Sequence, residues 1–420
     1  MNLSKHLILY FSFLFLACPT QEHQTPKVQT GLDRVGEYHQ LFKNKRIGIV
    51  TNHTAYNSNH QHIIDVFLHM DDVTVTALFG PEHGIRGSEE GGVTIESETR
   101  PGSDIPIYSL YGKTRKPTPD MLNDVDILVF DIQDIGARFY TYIYTMAYAM
   151  EAAAEQEIQF VVLDRPNPIT GKMVEGNILK KEFASFVGLF PIPVRHGMTV
   201  GELAKMFNGE GWLSNSVKAN LTVIPMKNWR RDMWYDETGL QFIKPSPNMP
   251  DLESATVYPG ICLIEATNVS EGRGTATPFQ LFGAPWIDGV QLAEKLNSLN
   301  LNGVTFQDTS FTPVSIEGII ANPKYKDLKC FGVKIVVTNR NYFQPYRTGI
   351  YIIKTIYQMY PDSFEMRAAG LDRLCGSDTI RETITNGSDL NSLLASWQDQ
   401  LNRFNEMRKK YLIYNNFAHN

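Results

Sequence analysis

Val73-Thr74-Val75-Thr76-Ala77-Leu78-Phe79-Gly80-Pro81-Glu82-His83-Gly84-Ile85-Arg86-Gly87 is the stretch from which the rest of the chain can be read. An apolar β-type run ends abruptly at Gly80-Pro81, and a carboxylate, an imidazole and a guanidinium leave the strand end together. Three further runs repeat the design. Arg46 to Val50 ends at Thr51-Asn52-His53, Val125 to Phe130 at Asp131, and Phe160 to Leu163 at Asp164. In an open parallel α/β sheet, ligands bind in the crevice outside the carboxyl ends of the strands, so these polar groups are expected to converge there.

Working outward, Asn59 to His69 carries Ile63, Ile64, Phe67 and Leu68 at helical spacing between two strand runs, which makes a βαβ unit. Thr118 to Leu122 opens a short helix before Val125 to Phe130, a run apolar enough to be buried on both faces. An Ala-, Met- and Tyr-rich helix follows from about Thr141 to Glu157, and Pro166 and Pro168 force an extended loop after Asp164. Thr199 caps a helix running to Asn208. Residues 33–210 therefore read as a Rossmann-like, doubly wound α/β layer. Residues 211–420 read as a smaller α+β auxiliary domain. Its expected elements are a strand Leu221 to Met226, a rigid loop Pro245 to Pro250, and a helix Ser254 to Ala266 interrupted early by Pro259-Gly260. A glycine-bearing charged loop Glu271 to Thr275, a strand Gly332 to Val337, and helices Gly349 to Met359 and Asp389 to Tyr411 follow.

The 420 residues, 43% hydrophobic and 11% aromatic, suffice for two domains with large cores. A net charge of −6 gives no electrostatic reason to expect nucleic acid as a partner. Lys5 precedes the apolar run Leu7 to Ala17, too short to span a bilayer and of the length of a signal peptide, residues 1–17. Phe15-Leu16-Ala17-Cys18 resembles a lipoprotein processing site, although Phe15 departs from the aliphatic residue usual there. Residues 18–32 read as a tether. The expected location is thus outside the cytoplasm, as a periplasmic or outer-membrane lipoprotein with a lipid on Cys18, or as a secreted protein. Cys262, Cys330 and Cys375 are too far apart in sequence for a zinc site and read as buried thiols, although Cys330 and Cys375 could pair.

No G-x-S-x-G, S-x-x-K, H-E-x-x-H, Walker A or post-strand G-x-G-x-x-G occurs, which leaves carboxylate acid/base chemistry with no metal or organic cofactor expected. His60, His62 and His69 read as a polar helix start rather than a metal site. Glu82 could cap a helix or pair with a cation, but Glu, His and Arg between two glycines at one strand end favour a functional role. Asp131 and Asp134 are balanced between local backbone bonding and function. Asp164 and Arg165 read first as a mutual or loop-fixing contact, with a ligand role second. Tyr140 and Tyr142 follow Arg138 closely enough to line the crevice.

Several of these motifs together resemble the NamZ-like family, long labelled a domain of unknown function. They are Gly48 to Ala55, Leu78 to Gly87, Tyr108 to Gly112, Phe130 to Tyr142, Leu163 to Pro168, Pro245 to Met249 and Glu271 to Thr275. The resemblance implies an exo-β-N-acetylmuramidase that removes N-acetylmuramic acid from the non-reducing end of peptidoglycan fragments, with the site in the cleft between a Rossmann-like and an auxiliary domain. It implies Glu82 as the catalytic acid. Glycosidic cleavage needs a second group, for which Asp131, Asp134 or the substrate's own acetamido oxygen are the candidates. Arg86, Arg138, Arg165 and Arg273 are the candidates to grip the lactyl carboxylate, with Arg138 and Arg273 preferred. Asn52, His83, Tyr140, Tyr142, Asp164, Asn167, Asn248 and Glu271 complete the expected substrate contacts. The rival reading is an envelope lipoprotein that binds muropeptide sugars without cleaving them.

Overall fold

The computed structural model describes residues 26–90, 98–100 and 102–414. Its first layer is a seven-stranded sheet built from β1 (Lys45–Thr51), β2 (Val73–Gly80), β3 (Glu98–Thr99), β4 (Pro106–Ser109), β5 (Ile127–Asp131), β6 (Gln159–Leu163) and β7 (Asn220–Ile224). The strand order is β3-β4-β2-β1-β5-β6-β7, all parallel except the short edge strand β3. Side chains alternate across the sheet as a period of two requires. Ile47, Ile49, Ile127 and Val129 pack into the core on one face, and Val50, Leu128 and Phe130 into the core on the other. The order reverses between β1 and β5, where Thr51 pairs with Asp131. The largely buried helix Tyr142–Glu155 and the helix Val200–Gly209 cross between β5, β6 and β7. The second of these starts with the expected cap, a reciprocal pair in which Thr199 and Glu202 satisfy each other's backbone amides.

The second layer is a three-stranded antiparallel sheet of β8 (Leu281–Ala284), β9 (Val304–Phe311) and β10 (Cys330–Val337), ordered β8-β10-β9, with helices packed around it. Several expectations need correction. Pro259 does not interrupt its helix, which runs from Leu252 to Ile261 and then tightens into a 3₁₀ segment, Cys262–Ala266. Tertiary packing overrides the local preference here, because Gly260 and Gly349 lie backbone to backbone. A Cβ on Gly260 would sit 1.9 Å from the Pro345 carbonyl oxygen, so the helices Leu252–Ile261 and Pro345–Met359 can cross only at glycines. The last helix is two, Leu390–Ser396 and Gln398–Lys409, broken at Trp397, whose ring is buried. β7 adds to the first sheet, so that layer continues beyond residue 210. Residues 28 to 32, expected within the tether, are packed in part: Val28 and Thr30 are buried and Gln29 bridges to Lys227. The signal segment and Cys18 lie outside the described residues. Cys262, Cys330 and Cys375 are free, buried thiols, so Cys330 and Cys375 do not pair.

Candidate active site

Glu82 follows the end of β2 and enters a cavity of about 250 Å³ that both layers line. The first layer supplies Glu82, His83, Tyr140, Thr141 and Tyr142, and the loop after it supplies Ser246 and Asn248. From the second come Tyr258, Glu265, Arg273 and Phe279. Glu82 Oε2 accepts a hydrogen bond from Thr141 Oγ1 at 2.7 Å, which fixes the carboxyl against the start of the helix Tyr142–Glu155. His83 adopts φ 69° and its Nδ1 lies 2.7 Å from the Glu89 carbonyl oxygen. A carbonyl only accepts, so Nδ1 carries the hydrogen and Nε2 is left as an acceptor. Burial pushes the His83 imidazole below its ordinary range, with the Glu82 carboxylate opposing, so a neutral ring stands beside the acid. Burial, aided by the Glu82 carboxylate, raises the Tyr111 phenol.

Arg273 stands across the cavity over the Phe279 ring, 5.3 Å from its centroid. Its Nη2 bonds Glu265 at 2.6 Å and its Nε lies 3.8 Å from Glu271. Gly272 and Gly274, at φ 80° and 81°, give the loop its shape, since a Cβ at either would strike a backbone carbonyl at 2.9 or 2.6 Å. Burial works to raise the Glu271 carboxyl, but Lys324 and Arg273 hold it below its ordinary range. Burial pushes the Glu265 carboxyl upward, Arg273 pulls against it, and the Glu271 and Glu82 carboxylates add to the rise.

Other residues expected at the site are engaged elsewhere. Asp131 is fully buried against Arg165, which donates to both its oxygens and also to the Tyr56 carbonyl. Burial raises the Asp131 carboxyl and the Arg165 guanidinium opposes. Asp134 accepts from the Gly136 amide at 2.7 Å and lies 3.7 Å from His196. Neither aspartate lines the cavity around Glu82. Asp164 accepts from Thr199, Gly201 and Tyr414 at 2.7 to 2.8 Å, tying the end of β6 to the next helix and to the chain's last described residue. Asn167 and Asn52 brace their own loops through Ile169 and Thr54. Arg138 is completely buried and donates to the carbonyls of Asn177, Ile192, Leu374 and Cys375, so the preferred status given to it does not match its position. Arg86 is exposed and borders an adjoining recess. Of the four candidate arginines, Arg273 is the one that lines the cavity. Tyr140, Tyr142, His83 and Asn248 line it as expected, with Tyr142 Oη bonded to the Pro245 carbonyl at 2.6 Å. The Tyr140 hydroxyl and Asn248 Oδ1 are buried with no hydrogen-bond partner among the described residues.

Sequence reasoning missed Glu265, Thr141 and Ser246. The available signal for Glu265 was a lone charge inside the apolar run Ile261-Cys262-Leu263-Ile264-Glu265-Ala266. Three carboxylates, those of Glu82, Glu90 and Glu265, and a guanidinium around one cavity can donate a proton, stabilise a cationic centre and bind an anionic substituent. Among the described residues no cluster of His, Cys, Asp or Glu could hold a metal ion.

Comparison with known proteins agrees with this architecture. A relative from Bacillus subtilis (strain 168), "Peptidoglycan beta-N-acetylmuramidase NamZ", is 51% identical over 403 residues, covering 95% of each chain. Two solved DUF1343 family proteins from Bacteroides fragilis NCTC 9343 share the fold. One has a TM-score of 0.85 at 38% identity over 92% of this chain and 99% of its own. The other has 0.75 at 36% identity over 93% of this chain and 100% of its own. Residues 47–253 match the family model for the N-terminal part, and residues 256–414 that for the C-terminal part, of the exo-β-N-acetylmuramidase NamZ. With both halves matched in order around a shared cavity, this chain belongs to the NamZ family of exo-β-N-acetylmuramidases.

Proposed function

We propose that this protein is an exo-acting glycoside hydrolase that releases N-acetylmuramic acid from the non-reducing end of peptidoglycan fragments, with Glu82 as general acid. The observation that carries the reading is the placement of Glu82 and Arg273 on the same cavity. N-acetylmuramic acid differs from N-acetylglucosamine by a lactyl ether that ends in a carboxylate, and a guanidinium recognises that group through charge-assisted hydrogen bonds. Among the described residues Arg273 makes one side-chain hydrogen bond, from Nη2 to Glu265, and its buried Nε faces Glu271, so Nη1 retains donor capacity for a ligand. Glu82 keeps one oxygen on Thr141 and stands beside His83, whose imidazole burial holds below its ordinary range. Family membership supports the same reaction.

The test is release of N-acetylmuramic acid from a disaccharide carrying it at the non-reducing end, followed by chromatography. Binding without release would instead support a sugar-capturing protein. We further propose export directed by residues 1–17, with a lipid on Cys18. Fractionation and labelling with a radioactive fatty acid test this, and an uncleaved cytoplasmic protein is the outcome that would reject it.

A further inference from the structure

We infer that Glu265 is the second catalytic carboxylate of this cavity, facing the anomeric carbon while Glu82 serves the leaving oxygen. The inference rests on the glycosidase reading above and names the group that reading lacks. Asp131 is taken up by Arg165, Asp134 accepts from the Gly136 amide through Oδ2, and neither lines the cavity. Glu90 does line it, but bonds the Ala321 amide at 3.2 Å. Of these four carboxylates, Glu265 is the one that both lines the cavity and is paired with a cation. Among the described residues its side chain has a single hydrogen bond, from Arg273 Nη2 to Oε1 at 2.6 Å, and it retains 27% of its exposure at the cavity wall.

Its backbone is fixed from behind. Lys324 Nζ donates to the carbonyls of Ile264, Glu265 and Val269 at 3.0, 3.3 and 2.8 Å, and Arg367 also donates to the Glu265 carbonyl. Arg273 in turn is set by the turn at Gly272 and Gly274. A reacting group works best when its support is rigid, and this carboxylate is held at both its backbone and one of its oxygens. Burial raises this carboxyl and so makes its carboxylate the more basic, while the adjacent guanidinium opposes the rise. The two acids thus stand in unlike surroundings, Glu82 beside a neutral imidazole and a hydroxyl, Glu265 beside a fixed cation. As the C1–O bond breaks, the Glu82 proton passes to the glycosidic oxygen. Water forms the new bond to C1 and its proton passes to Glu265, and exchange with solvent restores both groups. Arg273 is a positioning residue for Glu265 in this scheme.

The experiment is turnover of the 4-nitrophenyl β-glycoside of N-acetylmuramic acid by full-length Glu265→Ala, with and without sodium azide. The expected loss is roughly 10² to 10⁴-fold. Azide, entering the space left by the carboxylate, should restore part of the rate and give the α-glycosyl azide. Glu265→Gln, which fills that space, should lose the same activity without rescue. Wild-type protein that leaves the glycoside intact overturns the glycosidase reading itself. A cleaving wild type whose folded alanine variant forms no glycosyl azide overturns the Glu265 assignment alone. Should the alanine variant fail to fold, Glu265→Gln decides: it must lose the acidic limb of the kcat/KM pH profile, and keeping that limb overturns the assignment.

Discussion

Arg138→Met separates a structural arginine from a ligand-binding one. Among the described residues no carboxylate hydrogen-bonds Arg138; its charge is solvated by the carbonyls of Asn177, Ile192, Leu374 and Cys375 at 2.8, 3.0, 3.3 and 2.6 Å. The last two belong to the final turn of the helix Ala368–Cys375, where the helix dipole favours a cation. The side chain thereby clamps the first layer to the second. Methionine roughly fills the volume but donates nothing. Cys375 O keeps the Asn177 side-chain amide and Ile192 O keeps the Leu179 amide, whereas no other described donor reaches Asn177 O or Leu374 O. Two buried carbonyls stranded at about 1 to 3 kcal/mol each give about 2 to 6 kcal/mol. Relief of a desolvated guanidinium offsets part of this, so the expected loss is about 3 kcal/mol. Urea unfolding followed by tryptophan fluorescence at pH 7 measures it. A loss under about 1 kcal/mol, or intact stability with lost preference for muramic acid glycosides, would refute the reasoning and return Arg138 to the ligand.

Glu82→Gln should preserve the Thr141 contact and the fold while cutting turnover of natural disaccharide by about 10² to 10⁴-fold, and less on an aryl glycoside that hardly needs protonation. Near wild-type turnover of the disaccharide would make Glu82 a turn residue. Arg273→Met should weaken transition-state binding of muramic acid glycosides by roughly 2 to 5 kcal/mol, and N-acetylglucosaminides by less. An equal loss on both, in kcat/KM, would leave Arg273 only its role in holding Glu265. Glu175 concerns stability: burial pushes its carboxyl from 4.5 up to about 7, and its Oε2 has no partner among the described residues. Between those values the folded chain holds a proton that the unfolded chain has released, so stability falls as pH rises from about 4.5 to 7 and levels off above. The full difference is at most about 3 kcal/mol at 1.36 kcal/mol per unit. Glu175→Gln should flatten the change between pH 5 and pH 8 in urea unfolding, and an unchanged slope counts against it.

The sheet was legible because burial on both faces leaves nearly continuous apolar runs, and Gly80-Pro81 marks where β2 must stop. Thr199 with Glu202 announced a helix start through chemistry contained within four residues. The strand-end position of Glu82 followed from the same local pattern. What sequence could not decide was which charged group meets which. Asp131 and Asp134 stand three residues apart at the end of β5, yet one is taken by Arg165, which only the folded chain brings near, while the other makes the local bond to a following backbone amide, that of Gly136. Arg138 and Arg273 both sit in glycine-bearing loops. One is drawn into the interior by carbonyls from residues 177 to 375, while the other lines the cavity. Glu265 gave no local sign beyond being a charge in an apolar run, because its significance depends on the Gly260–Gly349 crossing, on Lys324 and on Arg273. Periodicity and turn chemistry act over a few residues and are written in order along the chain. Pairing of buried charges depends on which distant groups share a desolvated space, and tertiary packing alone sets that.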